Sequence, residues 1–271
     1  MTHPKDQFVR ANGITMRCRV EGPESAQVIL FSNSLATNIG MWDAQAAEFS
    51  AQYRVIRYDT RGHGQTDTTA PPYSLSLLVE DARSLLDALG VERVHFVGVS
   101  LGGMVGQLFA VRYPQRLHTL VLSDTAARMK REIWEKRLSE VSEQGVETIV
   151  EGSVGRWFTT PFRKSNSILI DGVRQMIRTT SKDGYVGAAS VVMNMDGVDD
   201  LGRIATPTLI VVGEEDVSTP PSESKLLCER IAGASMTVVT GAAHLPNMEQ
   251  PSKFNELLEE FLQRQGAVVQ G

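Results

Sequence analysis

Residues 94–103 read VHFVGVSLGG. Val94, Phe96, Val97 and Val99 make the unbroken apolar run expected of a strand buried on both faces. Gly98, Val99, Ser100, Leu101 and Gly102 then form a Gly-x-Ser-x-Gly turn, and residues 104–113 suit a helix. The pentapeptide alone is a weak pattern, but between such a strand and a helix it specifies a nucleophile elbow. Its glycines let backbone segments pass closely, and the strain of the turn holds the Ser100 hydroxyl out at the end of the sheet. A phosphate loop is the competing reading, yet neither the Lys-Ser/Thr of a P-loop nor a Gly-x-Gly-x-x-Gly spacing is present. An elbow requires a histidine and an acid later in the chain.

Outward from the elbow, strand and helix patterns alternate. Upstream, a hairpin turns at Asn12 and Gly13, with Ile14, Met16, Cys18 and Val20 alternating with polar residues as in an antiparallel edge strand. Buried-type strands follow at Val28 to Phe31 and at YRVIRY, residues 53–58, with an amphipathic helix between them around Met41, Trp42, Ala46 and Phe49. Leu78, Ala82, Leu85, Leu86 and Leu89 mark one helical face, and Gly90 stands where a C-cap belongs. Downstream, Pro114 stops the elbow helix, and strands recur at residues 119–122, 208–212 and 236–239. A last helix over 254–262 precedes a loose tail over 263–271. Residues 126–195 break the alternation with charge-rich helical pieces. The expected fold is therefore α/β: a mostly parallel central sheet flanked by helices, built from residues 1–125 and 196–271, with residues 126–195 inserted as a helical cap.

Composition narrows the function classes. A chain of 271 residues with 42% hydrophobic content can bury a sizeable core. Its net charge of −5 and absence of a basic tract argue against a nucleic-acid partner. Two cysteines, Cys18 and Cys228, do not make a disulfide framework. No apolar signal region opens the chain and no run is long enough to cross a bilayer, so a cytoplasmic enzyme without a membrane partner is expected.

A serine hydroxyl becomes a useful nucleophile when an adjacent base takes its proton. Of five histidines, His3 lies at the terminus, His95 is inside the elbow strand and His118 approaches another. His63, in the loop DTRGHG over 59–64, competes with His244, which follows the last strand in GAAHLP and satisfies the chain order serine, acid, histidine. His244 is the expected base, and His63 a brace for a tight turn. The acid that fixes its tautomer is expected at Asp216, in the post-strand segment GEED, with Asp124 as the rival. Oxyanion donors are expected from the backbone N–H of Leu101, after the nucleophile, and of Leu35, in the loop Asn33, Ser34, Leu35. Asn33 and Ser34 shape that loop or touch substrate.

These residues resemble the α/β-hydrolase superfamily over nearly the whole chain and, within it, the 3-oxoadipate enol-lactonases of aromatic-acid breakdown. The resemblance rests on the elbow, DTRGHG, Asn33, Ser34 and Leu35 followed by Met41 and Trp42, RWFT over 156–159, GYVGA over 184–188, STPP over 218–221, and AAHLPNMEQP over 242–251. Two departures stand out: Ala36 occupies a position where those enzymes commonly carry glycine, and the stretch VVMNMD over 191–196 is more apolar than expected.

The resemblance implies an α/β-hydrolase fold and a serine hydrolase that opens 3-oxoadipate enol-lactone with Ser100, Asp216 and His244, without metal or organic cofactor. A free carboxylate on that substrate would call for a cation, with Arg131, Arg137, Arg163, Arg174 and Arg178 as candidates, and Trp134 and Trp157 as apolar walls. Alternative readings are a carboxylesterase or a lactonase for another ring, a carbon–carbon bond hydrolase, or a small-molecule receptor.

Overall fold

A computed structural model describes residues 6–268. Its centre is one eight-stranded sheet comprising β1 (Asp6–Ala11), β2 (Ile14–Glu21), β3 (Val28–Ser32), β4 (Arg54–Tyr58), β5 (Val94–Val99), β6 (Leu117–Ser123), β7 (Thr208–Gly213) and β8 (Ser235–Val239). The spatial order is β1-β2-β4-β3-β5-β6-β7-β8. β2 pairs antiparallel with both β1 and β4, and every other pairing is parallel. β3, β5 and β7 are buried at every residue, as their apolar runs require when helices cover both faces. β5 lies at the middle of the sheet, between β3 and β6, so the elbow at its carboxyl end opens at the centre of that edge.

The covering helices of the core are α1 (Asp43–Phe49), α2 (Leu75–Ala88) and α3 (Leu101–Arg112). Between β6 and β7 come α4 (Arg131–Gln144), α5 (Val150–Trp157), α6 (Thr160–Ser165), α7 (Ser167–Arg178) and α8 (Lys182–Met193). After β7 follow α9 (Pro221–Arg230), α10 (Pro246–Glu249) and α11 (Pro251–Val268). α11 runs past the expected end at 262 and makes residues 263–268 helical rather than loose. Extending a helix already nucleated on buried Phe254, Leu258, Phe261 and Leu262 is easier than starting one. Residues 269–271 and His3 lie outside the described residues.

The five inserted helices leave and re-enter the core at one place. There Arg128 bridges to Asp196 at 2.9 Å, Met129 N–H donates to Met195 O, and Gly197 N–H donates to Ala127 O at 2.7 Å. A second attachment is backbone on backbone: a Cβ at Gly184 would lie 2.1 Å from the carbonyl oxygen of Gly62. Only glycine at both positions lets α8 sit this close to the loop 59–64, and the Ser181 hydroxyl donates to that same carbonyl at 3.1 Å. Among the described residues no helix is long and apolar enough to cross a membrane.

His63 and His95 are both buried. His63 donates from Nδ1 to the Arg61 carbonyl at 3.0 Å, the turn-bracing role expected of it, while its Nε2 has no partner. His95 bonds Thr119 Oγ1 through Nδ1 at 2.9 Å. Burial pushes both imidazoles down to about 4, with the charge of His118 and Arg93 adding to the effect at His95. Between pH 6.5 and about 4 the unfolded chain therefore binds more protons than the folded one. Stability is complete above that window and falls as pH drops through it, by up to roughly 3 kcal/mol for each histidine. Urea midpoints measured from pH 7.5 to pH 4.5 should fall with acid, and His63→Asn and His95→Asn should each flatten the slope; an unchanged slope in both variants would refute this origin.

Candidate active site

Ser100 sits between β5 and the first turn of α3 with φ +55° and ψ −113°, a conformation that costs an L residue roughly 1–3 kcal/mol. The surroundings hold it there. A Cβ on Gly98 would lie 2.3 Å from Gly102 O, and one on Gly102 would lie 2.1 Å from Ser32 O at the end of β3. Ser100 N–H donates to Ser123 O at 2.9 Å, and its carbonyl accepts from Thr125 Oγ1 at 2.7 Å. The helix begins at Leu101, three residues earlier than its sequence pattern shows, because the elbow leads directly into it.

His244 and Asp216 come from the loops after β8 and β7. His244 Nδ1 stands 2.8 Å from Asp216 Oδ2, so the ring keeps its proton on Nδ1 and is left with Nε2 as the free base. Asp216 also accepts from the N–H groups of Ser218 and Thr219, at 2.7 and 3.1 Å, and from Thr219 Oγ1 at 2.8 Å. Burial opposes its ionisation, but the His244 ring and these donors outweigh it and hold the carboxyl below its ordinary value. The rival Asp124 is adjacent, yet its oxygens accept from Ser123 Oγ and Gly213 N–H rather than from His244. Burial and the Asp216 charge hold Asp124 well above the usual carboxylate range. Asp124, Asp216 and His244 are the one group among the described residues with ligand atoms close enough to suit a metal, all within 4.8 Å of one another. The bonds just described already engage those groups with one another or with neighbouring donors.

Ser34, Leu35, Ser100, Trp134, Trp157 and His244 line a single small cavity of about 40 Å³. Ser100 and His244 face it without a direct hydrogen bond between them. The N–H groups of Leu35 and Leu101 have no acceptor among the described residues, which leaves both able to donate to a developing oxyanion. Leu101 itself is buried behind the lining. Asn33 does not touch the cavity: its amide donates to Tyr58 O at 2.8 Å and accepts from Trp42 Nε1 at 2.9 Å. The expectation that it touches substrate is corrected accordingly, and its part is to shape the loop.

Two arginines, Arg137 and Arg156, also line the cavity. Among the described residues neither has a carboxylate within ion-pair distance. Arg137 lies over the Trp134 ring, 4.5 Å from its centroid, and Arg156 reaches Ser153 Oγ at 3.3 Å. Burial, then the like charge of Arg137, pushes Arg156 down to about 10. Of the five arginines expected as candidate cations, only Arg137 reaches the cavity. Arg131 pairs with Glu135, Arg174 with Glu151 and Asp171, and Arg178 with Glu147, while Arg163 bonds Thr160. Arg156 stands in the stretch RWFT, and the signal that could have singled it out is its place next to Trp157 at the end of α5. Met129, Trp134, Arg137, Arg156 and Ser218 also line an adjoining outer cavity of about 440 Å³.

A family model described as the alpha/beta hydrolase fold matches residues 27–251. The chain belongs to the α/β-hydrolase family. This hydrolase is 34% identical to 3-oxoadipate enol-lactonase 2 of Acinetobacter baylyi, over 97% of its own length and 98% of that protein's. The crystal structure of the enol-lactonase from Burkholderia xenovorans superposes with a TM-score of 0.93 at 31% identity, covering 95% of this chain and all of that one. A thermophilic esterase from Thermogutta terrifontis, solved with malate bound, gives a TM-score of 0.90 at 27% identity, covering 96% of this chain and 99% of that one. By these similarities the hydrolase is a carboxylic ester hydrolase resembling the enol-lactonases.

The loop that carries His244 is tied to the inserted helices by the Leu245 N–H, which donates to Trp157 O at 3.2 Å, and by a residue whose role its sequence position does not disclose. Glu249, buried in α10, accepts from Thr159 N–H and Thr159 Oγ1 with one oxygen, at 2.9 and 2.6 Å. Its other oxygen accepts from Ala243 N–H at 2.8 Å, beside His244. Glu249→Gln places an NH₂ against one of these donors and should cost about 1–3 kcal/mol of stability, with a fall in kcat as the loop loosens. Denaturation midpoints and turnover measured together test this, and wild-type values for both would refute it.

Proposed function

We propose that this hydrolase is an enol-lactonase acting on a small lactone that bears a free carboxylate, of the 3-oxoadipate enol-lactone kind, and releasing the open-chain keto acid. The carrying observation is the arginine pair. Two half-buried guanidinium groups without an acid partner, facing the same cavity as Ser100 and His244, suit an anionic substrate. The identity to enol-lactonases along nearly the whole chain supports the same choice.

In this reading His244 Nε2 takes the Ser100 proton as Oγ attacks the lactone carbonyl. The tetrahedral oxyanion receives the N–H groups of Leu35 and Leu101, each contributing roughly 3 kcal/mol. Collapse breaks the ring ester bond, and the departing enol oxygen takes the proton from His244 before tautomerising to a ketone. Water activated by His244 then attacks the acyl-enzyme and frees Ser100 and the new carboxylate. Asp216 orients the imidazole and stabilises its charged form throughout. Trp134 and Trp157 wall the cavity, and Arg137 and Arg156 hold the carboxylate that does not react.

A 40 Å³ cavity holds roughly one water. Admitting a lactone therefore requires the inserted helices to yield, and residues 126–195 act as a cap that closes over substrate, with the outer cavity as the approach.

A carboxylesterase is the second reading, favoured by the apolar walls that Met104, Met129 and Val192 add to the two tryptophans and by the likeness to the Thermogutta terrifontis esterase. Turnover of the enol-lactone, saturated lactones and neutral aryl acetates by the wild type and by Ser100→Ala separates the two. The enol-lactone should be preferred and Ser100→Ala inactive. Arg156→Ala should raise KM for the enol-lactone by about 10–100-fold, the value of a charge-assisted contact, and leave aryl acetates within about twofold. An inert enol-lactone beside fast aryl-ester turnover would establish the esterase instead.

A further inference from the structure

Tyr185 lines the same cavity as Ser100 and His244, and no step of the proposed reaction uses it. It stands in the first turn of α8, one residue after Gly184, where that helix is fixed to the sheet. The Ser181 hydroxyl accepts from Gly184 N–H at 3.0 Å and donates to Gly62 O, and Tyr185 N–H donates to Ser181 O at 2.8 Å. Tyr185 is therefore held in place relative to the loop 59–64, whereas Arg137 and Arg156 reach the cavity from α4 and α5 on longer side chains.

The Tyr185 proton is unspent. The residue is 1% exposed, and its hydroxyl finds no acceptor among the described residues, yet it is not one of the unpaired atoms sealed inside the protein, so the little surface it keeps is on the cavity. A buried tyrosine hydroxyl ordinarily has a partner. Burial pushes the phenol up, more than the neighbouring Arg137 and Arg156 charges pull it down, so the proton stays on at neutral pH. A guanidinium has no lone pair to accept that proton, and no aspartate or glutamate lines the cavity. Two cations and one hydroxyl thus offer only donors to whatever enters between them.

We propose that Tyr185 is a specificity-determining residue whose hydroxyl donates to the carboxylate that Arg137 and Arg156 hold, selecting a free carboxylate over its amide at that end of the substrate. The assignment rests on the lactonase reading, which supplies the unreacting carboxylate. A carboxylate accepts from all three groups at once, while an amide turns an NH₂ toward one of them and leaves a buried donor unpaired. Because this contact lies away from the reacting carbonyl, it is equally strong before and during the reaction and acts on KM rather than on kcat.

Adipate and adipamide, titrated by calorimetry into Ser100→Ala protein, are the probes. Adipate should bind more tightly, and adding Tyr185→Phe, which removes one oxygen and keeps the ring, should narrow that preference about tenfold, as for one hydrogen bond to a charged group. Arg156→Ala should shrink the Tyr185→Phe effect to about threefold or less, since both groups hold one carboxylate. In the active enzyme Tyr185→Phe should raise KM for the enol-lactone about tenfold, with the loss in KM exceeding that in kcat. An adipate preference that survives Tyr185→Phe but falls with Arg156→Ala, or a Tyr185→Phe enzyme that loses kcat at unchanged KM, overturns the role of Tyr185 and leaves the lactonase reading standing. Adipate binding no tighter than adipamide with Tyr185 in place overturns both.

Discussion

The close passage of three backbone segments at the carboxyl edge of the sheet is the constraint on which the rest of the structure depends. β5 must end, reverse into α3 and leave the Ser32 carbonyl of β3 room beside Gly102. No side chain fits at Gly98 or Gly102, and Ser100 is forced to positive φ as a result. That strain persists because strongly bonded neighbours determine it: β6 receives the Ser100 N–H, and Thr125 holds its carbonyl. The same crowding brings the loop after β3, with its free Leu35 amide, alongside the free Leu101 amide at the start of α3. The candidate nucleophile and the two candidate oxyanion donors are consequences of one packing problem.

Position around this edge then depends on polar locks rather than on apolar contact. Thr219 and Ser218 fix Asp216, Asp216 fixes the His244 ring, and Glu249 fixes the preceding residue, Ala243, to Thr159 in the inserted helices. Each lock is buried, where an unpaired donor or acceptor is costly, so the arrangement is all-or-none in character. The chain continues from Glu249 directly into α11, whose buried Phe254 packs 6.3 Å from Trp42, and Trp42 donates to Asn33. The histidine loop and the oxyanion loop therefore share one supporting cluster.

Residues that obey a backbone rule were legible in the sequence, and residues defined by tertiary neighbours were not. The order of strands and helices followed from apolar runs and periodicity. The candidate nucleophile, base and acid followed from the elbow and chain order, because loops at the carboxyl ends of parallel strands converge. Asn33 looked like a substrate contact because an asparagine in such a loop can face either way; only the positions of Tyr58 and Trp42 decide that it faces inward. Arginines in the inserted helices could not be sorted, since an arginine on an amphipathic helix reads the same whether it meets a glutamate or a cavity. Arg174 and Arg178 found glutamates one helix away, and Arg137 and Arg156 found each other. The tail beyond 262 was read as loose because its polar composition hides helix extension.

Both departures from the enol-lactonase pattern acquire physical meaning in the structure. Ala36 has φ +61° and is fully buried, so it occupies the left-handed conformation that glycine would enter without a Cβ penalty. It sits directly after Leu35, in the loop that carries the candidate oxyanion donor. The apolar stretch over 191–196 divides between two faces of α8 and its exit: Val192 meets the cavity of Ser100, while Val191 and Met195 wall a separate space of about 350 Å³. Its apolar character is thus no evidence against a charged substrate, because most of it faces away from Ser100. Charge in the cavity of Ser100 is set instead by α4 and α5, through Arg137 and Arg156. The cations that face Ser100 are therefore carried by the inserted helices, whereas the elbow and the Asp216–His244 pair stand on loops of the sheet, so the charge offered to a substrate can change in sequence while that pair and the elbow remain as they are.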